Sequence, residues 1–309
     1  MAQDSEPALL GIDWGTSNRR AWWLAADGAV LAEFSDDQGL LAAQGRFAEA
    51  LQSLLRAGPA LPPAAPVLMS GMVGAASGWQ EAPYLDAREP LAALARKLVA
   101  VPAARPRTFI VPGVCWSSPD GGVDVMRGEE TQLLGALALG HGDGWYLLPG
   151  THSKWVRLAG GCVADLATYM TGELFALLTQ HGTLASVTGP ASEDARSDTP
   201  THPQAFARGV AAAARSGLSN ALFGCRAQVV AGRRPAGDAR EYLSGLLIGA
   251  EWQDVQRRAG HAPEHVTLIG TPELARRYAF VAAASGCHID TLDAGKVQLA
   301  AFTALSANL

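Results

Sequence analysis

Residues 11–20, GIDWGTSNRR, put one carboxylate, Asp13, at the end of an apolar run and follow it with Gly15, Thr16, Ser17 and Asn18. A turn of small residues offers backbone N–H groups and hydroxyls to an anion, and phosphate oxygens suit it well. Gly15 lets a ligand approach the backbone. A carboxylate beside phosphate is repulsive unless a cation lies between them, and magnesium with its waters supplies one. Asp13 therefore reads as a Mg²⁺ ligand acting through water. The competing reading is an aspartate that only caps its own turn.

A second stretch, LPGTHSKWV at 148–156, repeats the pattern with Gly150, Thr151 and Ser153 and adds a cation, Lys154. His152 in the same turn could donate to an anion or simply be solvated. Two such turns facing one another across a cleft would hold a polyphosphate from both sides. A third small-residue junction, Gly270-Thr271-Pro272, leads from a strand into a helix, with Pro272 suited to the first helical turn.

Elements must place these turns. Residues 8–12 read as a buried strand, and 20–25 and 29–34 as two more joined by Asp27-Gly28, a hairpin signal. A helix is expected around 47–55, then a short strand at 67–70 that runs into the Gly-rich SGMVGAASGWQ. Further expectations are a helix at 91–99, a strand at 108–111 and a helix at 129–139 with Leu133, Leu134 and Leu137 on one face. Strands follow at 145–148, 155–158 and 162–170, and a helix at 171–180. Residues 186–204 read as a polar loop and 206–223 as mostly helical. Asp238 is placed to cap a long helix reaching about Arg258, whose Gly245 and Gly249 would let another backbone pack close. A strand at 266–269 and a helix at 294–305 close the pattern. IDWGTSNRRAWWLAADGAV and LPGTHSKWVRLAGGCV are each strand, Gly-Thr turn, Trp-containing strand, tight turn and strand, which points to an internal duplication.

The totals limit the function classes. The 309 residues suffice for two domains, and 49% hydrophobic with 17% charged residues suits a sizeable core. A formal net charge of −5 does not suggest a nucleic-acid or anionic-membrane partner. The four cysteines are far apart and form no CxxC pair, so neither zinc nor a disulfide framework is indicated. The acidic N-terminus does not resemble a signal peptide, and no apolar run approaches the roughly 20 residues of a membrane span. A cytoplasmic location is expected.

IDWGTSN resembles the first phosphate motif of the sugar kinase/Hsp70/actin superfamily. More specifically, the segments IDWGTSNRRAW, SGMVGAASGWQEAPYL, VMRGEETQLLGA, LPGTHSKWV, YMTGELFALL, EYLSGLLIGAE and LIGTPELARRY, in order along nearly the whole chain, resemble the 2-dehydro-3-deoxygalactonokinases. The resemblance implies an α/β protein of two actin-like, ribonuclease H-like domains with a central cleft. Residues 1–138 would carry the first phosphate loop and the sugar-acid site. Residues 139–309 would carry the second phosphate loop and the adenosine segment at 266–278, which includes Gly270 and Thr271. Part of the last helix is expected to return to the first domain. The implied reaction moves the γ-phosphate of ATP, with Mg²⁺, to O6 of 2-dehydro-3-deoxy-D-galactonate. Partners are then ATP and a small sugar acid, and the sequence is compatible with an oligomer.

In this superfamily the proton acceptor is often a carboxylate near the start of the first connecting helix. Here that place reads Arg127-Gly128-Glu129-Glu130. Glu130 has Leu134 and Leu137 at i+4 and i+7, so it is preferred to Glu129 as the base. Acids favoured by the helix dipole are the plainer account of both, and Asp165 and Glu173 are reserves. Arg127, with its planar fork, is the candidate partner of the substrate carboxylate, or else an ion-pair partner of those glutamates. Met72, Gly74, Trp79 and Tyr84 lie in a loop suited to a sugar, although each aromatic alone could equally be core. Two rivals share the scaffold: a kinase for another sugar or keto-deoxy sugar acid, and an actin- or Hsp70-like nucleotide switch.

Overall fold

The computed structural model describes residues 6–102, 104–189, 202–307 and 309. Two compact units emerge: Met1–Asp143 with Arg157–Leu166 and Ala294–Leu309, and Gly144–Val156 with Ala167–Asp293.

The first unit opens with β1 (Leu9–Trp14), β2 (Arg19–Leu24) and β3 (Val30–Asp36), an antiparallel meander. Helices α1 (Leu40–Ala43) and α2 (Phe47–Ala57) follow, then β4 (Val67–Gly71), β5 (Leu85–Asp86), β6 (Val99–Ala100) and β7 (Thr108–Ile110). Strands β8 (Val114–Ser117) and β9 (Val123–Met126) lead to α3 (Glu129–Ala138). The main sheet has the order β3-β2-β1-β4-β7-β6, with β4 parallel to both β1 and β7, and β5-β8-β9 form a small second sheet. Leu10, Ile12, Trp14, Trp23, Phe47 and Met69 are buried together beneath the main sheet.

A five-stranded sheet comprises β10 (Gly144–Leu148), β11 (Ser153–Ala159), β12 (Cys162–Tyr169), β13 (His265–Ile269) and β14 (His288–Leu292) in the order β12-β11-β10-β13-β14. Strands β10, β13 and β14 run parallel. A three-strand run continued by parallel strands thus occurs in both sheets, which is the duplicated unit expected from the two Gly-Thr stretches. Helices α4 (Thr171–Gln180), α5 (Gly182–Thr188), α6 (Pro203–Arg215), α7 (Leu218–Val230), α8 (Gly237–Ala259) and α9 (Pro272–Ala283) surround it, and α10 (Ala294–Ser306) ends the chain in the first unit. The core of this second unit gathers Trp155, Phe206, Trp252, Leu268 and Tyr278.

Close helix packing falls where the glycines predicted it. A methyl group built on Gly245 of α8 would lie 2.1 Å from the Phe206 carbonyl oxygen of α6, so only glycine admits that approach.

Several expectations are corrected. Residues 91–99 are not an α-helix: Leu91–Arg96 is a short 3₁₀ turn, and Val99–Ala100 pairs with β7. Pairing of Val99 and Ala100 with β7 takes the end of this run into the sheet and leaves only a short turn before it. The 206–223 helix is broken at Ser216-Gly217, where Ser216 is extended. Asp238 does not cap α8 but sits in its first turn and binds Arg208. The loop expected at 186–204 ends in helix on both sides, and its residues 190–201 lie outside the described residues.

Candidate active site

The first turn bridges β1 and β2. The Gly15 N–H donates to the Asn18 carbonyl at 2.9 Å, closing it. Its carbonyls are taken from behind: the N–H groups of Gly39, Leu40 and Leu41 donate to Ser17, Gly15 and Thr16. The amides of Thr16, Ser17 and Asn18 have no hydrogen-bond partner among the described residues. A methyl on Gly39 would lie 2.4 Å from the Ser17 carbonyl carbon, so the contact requires glycine.

The second turn, between β10 and β11, is held in the same way. The Glu173 N–H donates to the Thr151 carbonyl at 2.9 Å, and a methyl on Gly172 would lie 2.3 Å from the Gly150 oxygen. The amides of Gly150, Thr151 and His152 also lack a partner among the described residues. In both turns a glycine at the start of a helix brings amide donors against the turn's carbonyls. The turn's own amides are left for an anion.

Around the first turn, Asp13 pairs in register with Ser70, and Trp14 with Gly71. The Arg20 guanidinium donates to Asp13 Oδ2 at 3.0 Å. Burial pushes the Asp13 carboxyl up from its ordinary value, and Arg20 works against that shift. A methyl on Gly128 would touch the Gly71 Cα at 3.4 Å, so the start of α3 lies against the end of β4. Both glutamates there reach back to backbone donors. Glu129 Oε2 accepts from the Arg127 N–H at 3.1 Å, and Glu130 Oε2 from the Gly128 N–H at 2.6 Å. Glu130 is fully buried, and its Oε1 accepts from the Thr131 hydroxyl. Burial first, and the Glu129 charge second, raise its carboxyl to about 8.

Arg127 lies over the Tyr84 ring at 4.4 Å and donates from Nη2 to the Ala82 carbonyl at 2.8 Å. Its Nε and Nη1 are buried without a hydrogen-bond partner among the described residues. Gly74 makes room for it, since a methyl there would lie 2.9 Å from Nη1. Met72 and Trp79 pack against the core of the first unit, Trp79 stacked on Phe47.

In the second unit, Pro149, Gly150 and Ser153 form one wall of a cavity of about 390 Å³. Leu274, Arg277 and Tyr278 of α9 form another. Thr271 caps α9 by accepting from the Leu274 N–H, and Gly270 packs beside Pro149. Lys154 is buried, with Nζ donating to the Thr168 hydroxyl at 2.9 Å, and His152 meets Glu173 at 2.5 Å. A buried carboxylate, Glu251, stands behind the cavity. It accepts from Trp155 Nε1 at 2.7 Å, from the Tyr278 hydroxyl at 2.9 Å and from Thr171. Desolvation raises it to about 7 against the lowering effect of those donors. Arg277 is held bidentate by Glu241 at 2.7 and 3.0 Å.

The 2-keto-3-deoxy-galactonokinase profile matches residues 13–305. The chain belongs to the 2-keto-3-deoxy-galactonokinase family. It is 37% identical over 95% of its length to the Rhizobium meliloti (strain 1021) protein named "Probable 2-dehydro-3-deoxygalactonokinase DgoK1", of which 94% is covered. It is 35% identical over 91% of its length to the Escherichia coli (strain K12) 2-dehydro-3-deoxygalactonokinase, of which 91% is covered. A crystal structure from Sinorhizobium meliloti, put forward as a 2-dehydro-3-deoxygalactonokinase, superposes with a TM-score of 0.85 at 35% identity, covering 96% of this chain and 95% of the other. Membership in the 2-keto-3-deoxy-galactonokinase family sets the enzyme class, an ATP-dependent carbohydrate kinase. No described helix is long and apolar enough to cross a membrane.

Four features of this family member escaped the sequence reading: Gly39, Gly172, the Asp13–Arg20 pair and the Glu251 cluster. The two glycines had a usable signal, since they follow Gly15 by 24 residues and Gly150 by 22. A lone glutamate in the middle of α8 carries no such mark.

Proposed function

We propose that this chain transfers the γ-phosphate of ATP to O6 of 2-dehydro-3-deoxy-D-galactonate, with both Gly-Thr turns serving one triphosphate. The observation that carries the nucleotide half is the 390 Å³ cavity in which the second turn and α9 share walls. Its size suits a nucleoside, and its phosphate end is a turn with unpaired amides. The acceptor comes from the family and from Arg127, whose two buried, unpartnered nitrogens suit a carboxylate.

Phosphoryl transfer asks the protein for alignment, charge neutralisation and a proton acceptor. Thr16, Ser17, Asn18, Gly150, Thr151 and Ser153 align the phosphates, and Lys154 adds positive charge beneath the second turn. Asp13 fits a hydrated Mg²⁺, because a carboxylate destabilised by burial gains from a dication. When bound, Mg²⁺ neutralises charge on the phosphates. Glu130 accepts the proton of the O6 hydroxyl, Arg127 orients the acid, and Met72, Gly74, Trp79 and Tyr84 shape its loop. Residues 1–138 then supply the acceptor side and 139–309 the nucleotide side. ATP as donor accords with a cytoplasmic location.

The test is a panel of keto-deoxy sugar acids incubated with Mg-ATP and the purified protein, scored by kcat/KM and by ³¹P NMR of the product. The proposal expects the galacto compound to lead, with phosphate on C6. Equal turnover of all acids, or ATP hydrolysis indifferent to any acceptor, would reject it.

A further inference from the structure

A second, smaller cavity of about 160 Å³ lies among α6, α7 and α8. Three arginines line it: Arg208 of α6, Arg215 at its end, and Arg234 before α8. One acid, Asp238, opposes them and is bound by Arg208. The Arg215 and Arg234 guanidinium groups have no hydrogen-bond or ion-pair partner among the described residues. Among the described residues, Arg215 and Arg234, both exposed to solvent at the cavity's edge, thus carry positive charge with no acid paired to them, in a protein whose formal net charge is −5. The floor is neutral. Cys225 is buried and its thiol is pushed up to about 11 by that burial, and Tyr242 is shifted upward by the same cause. Both remain protonated at neutral pH, the Cys225 thiol donating to the Ala239 carbonyl.

We infer that this cavity is a binding site for a compact phosphate-bearing anion, distinct from the nucleotide cavity. Guanidinium forks match phosphate oxygens in pairs, and the volume falls below that of ordinary pockets for larger organic ligands. Inorganic phosphate and a small phosphate monoester present the same group and are the two sources to separate. Occupancy reaches the larger cavity through one residue, a consequence that rests on the nucleotide reading above. Asp238 holds Arg208 with one oxygen and His202 Nδ1 with the other, at 3.1 Å, and His202 lines the larger cavity beside Gly237 and Arg240. An anion that draws Arg208 away from Asp238 loosens the Asp238–His202 contact.

The experiment is calorimetric titration of the full chain with inorganic phosphate, with a small sugar-acid phosphate monoester and with the unphosphorylated acid. Each is run with and without saturating non-hydrolysable ATP analogue, which occupies the phosphate turns. A phosphate-bearing ligand should bind while the analogue is present, and R215Q/R234Q should weaken it at least tenfold. R233Q, at a neighbouring arginine equally exposed but outside the cavity, should not. D238N should tighten binding several-fold, a gain that misfolding cannot imitate. Tighter binding of the monoester assigns a metabolite site, and equal binding assigns a phosphate site. Equal affinity of the wild type and R215Q/R234Q for the phosphate-bearing ligands overturns the site. Phosphate that binds but shifts the KM for ATP less than twofold overturns the coupling and leaves the binding result standing. Failure of the analogue to bind counts against the nucleotide reading and not against the arginine cavity.

Discussion

The two Gly-Thr turns share a backbone device and differ in what surrounds it. Each is backed by a glycine that lets helix-start amides reach the turn's carbonyls, Gly39 in one and Gly172 in the other. The first turn stands beside a half-buried carboxylate, Asp13, in the same unit as Arg127 and the buried Glu130. The second stands beside a buried lysine and forms a wall of the 390 Å³ cavity. Duplication thus kept the way a turn is held and let its surroundings diverge, and the proposed function puts acceptor and metal on one side and nucleotide on the other.

The largest break in that comparison comes from Glu130. E130Q keeps an acceptor for the Gly128 N–H but cannot take a proton, so kcat should fall by about 10²–10⁴. Wild-type kcat/KM should rise with pH until Glu130 ionises near 8. Stability should move the other way. The folded state holds this proton up to about 8, whereas the unfolded carboxyl loses it near 4.5. The folded state therefore binds more protons across that window, and wild-type stability falls as pH rises through it. Denaturation at pH 5 and pH 8.5 should show E130Q gaining on wild type at the higher pH, by on the order of a few kcal/mol. Glu251, raised in the same sense, is present in both proteins and cancels in the difference.

Next are the two charges. D13N should lower activity about 10- to 100-fold and raise the Mg²⁺ concentration needed for half-maximal rate, as for other residues that act on a metal through its shell. R127Q should raise the KM for the sugar acid about tenfold or more, in line with the loss of a charged hydrogen bond, with little change in the KM for ATP. A rise in the KM for ATP alone would move Arg127 to the nucleotide side.

The smallest effects sharpen the comparison itself. G39A and G172A each push a methyl into backbone, and each should cost roughly 1–3 kcal/mol by overpacking. G172A should also weaken an ATP analogue offered without acceptor, and G39A should impair turnover when both substrates are present. Unchanged stability in both would show that the turns do not need these contacts.

Much of this was legible in the sequence because it rests on local rules. Asp27-Gly28 marked a hairpin, two Gly-Thr stretches marked a repeat, and Gly245 marked a close helix crossing. The 91–99 segment misled because apolar residues at helical spacing were outweighed by pairing of Val99–Ala100 with β7. The pairing of Asp13 with Arg20 was hidden because neighbours across an antiparallel ladder depend on register. The Glu251 cluster joins β11, α4, α8 and α9, and no spacing along one element reports such a meeting.

The most direct measurement is a crystal structure of the protein with a non-hydrolysable ATP analogue and Mg²⁺. Expected is one triphosphate whose oxygens accept from amides of both 16–18 and 150–152, with the adenine in the 390 Å³ cavity. A triphosphate engaged by one turn alone, with the other bound to nothing, would contradict it.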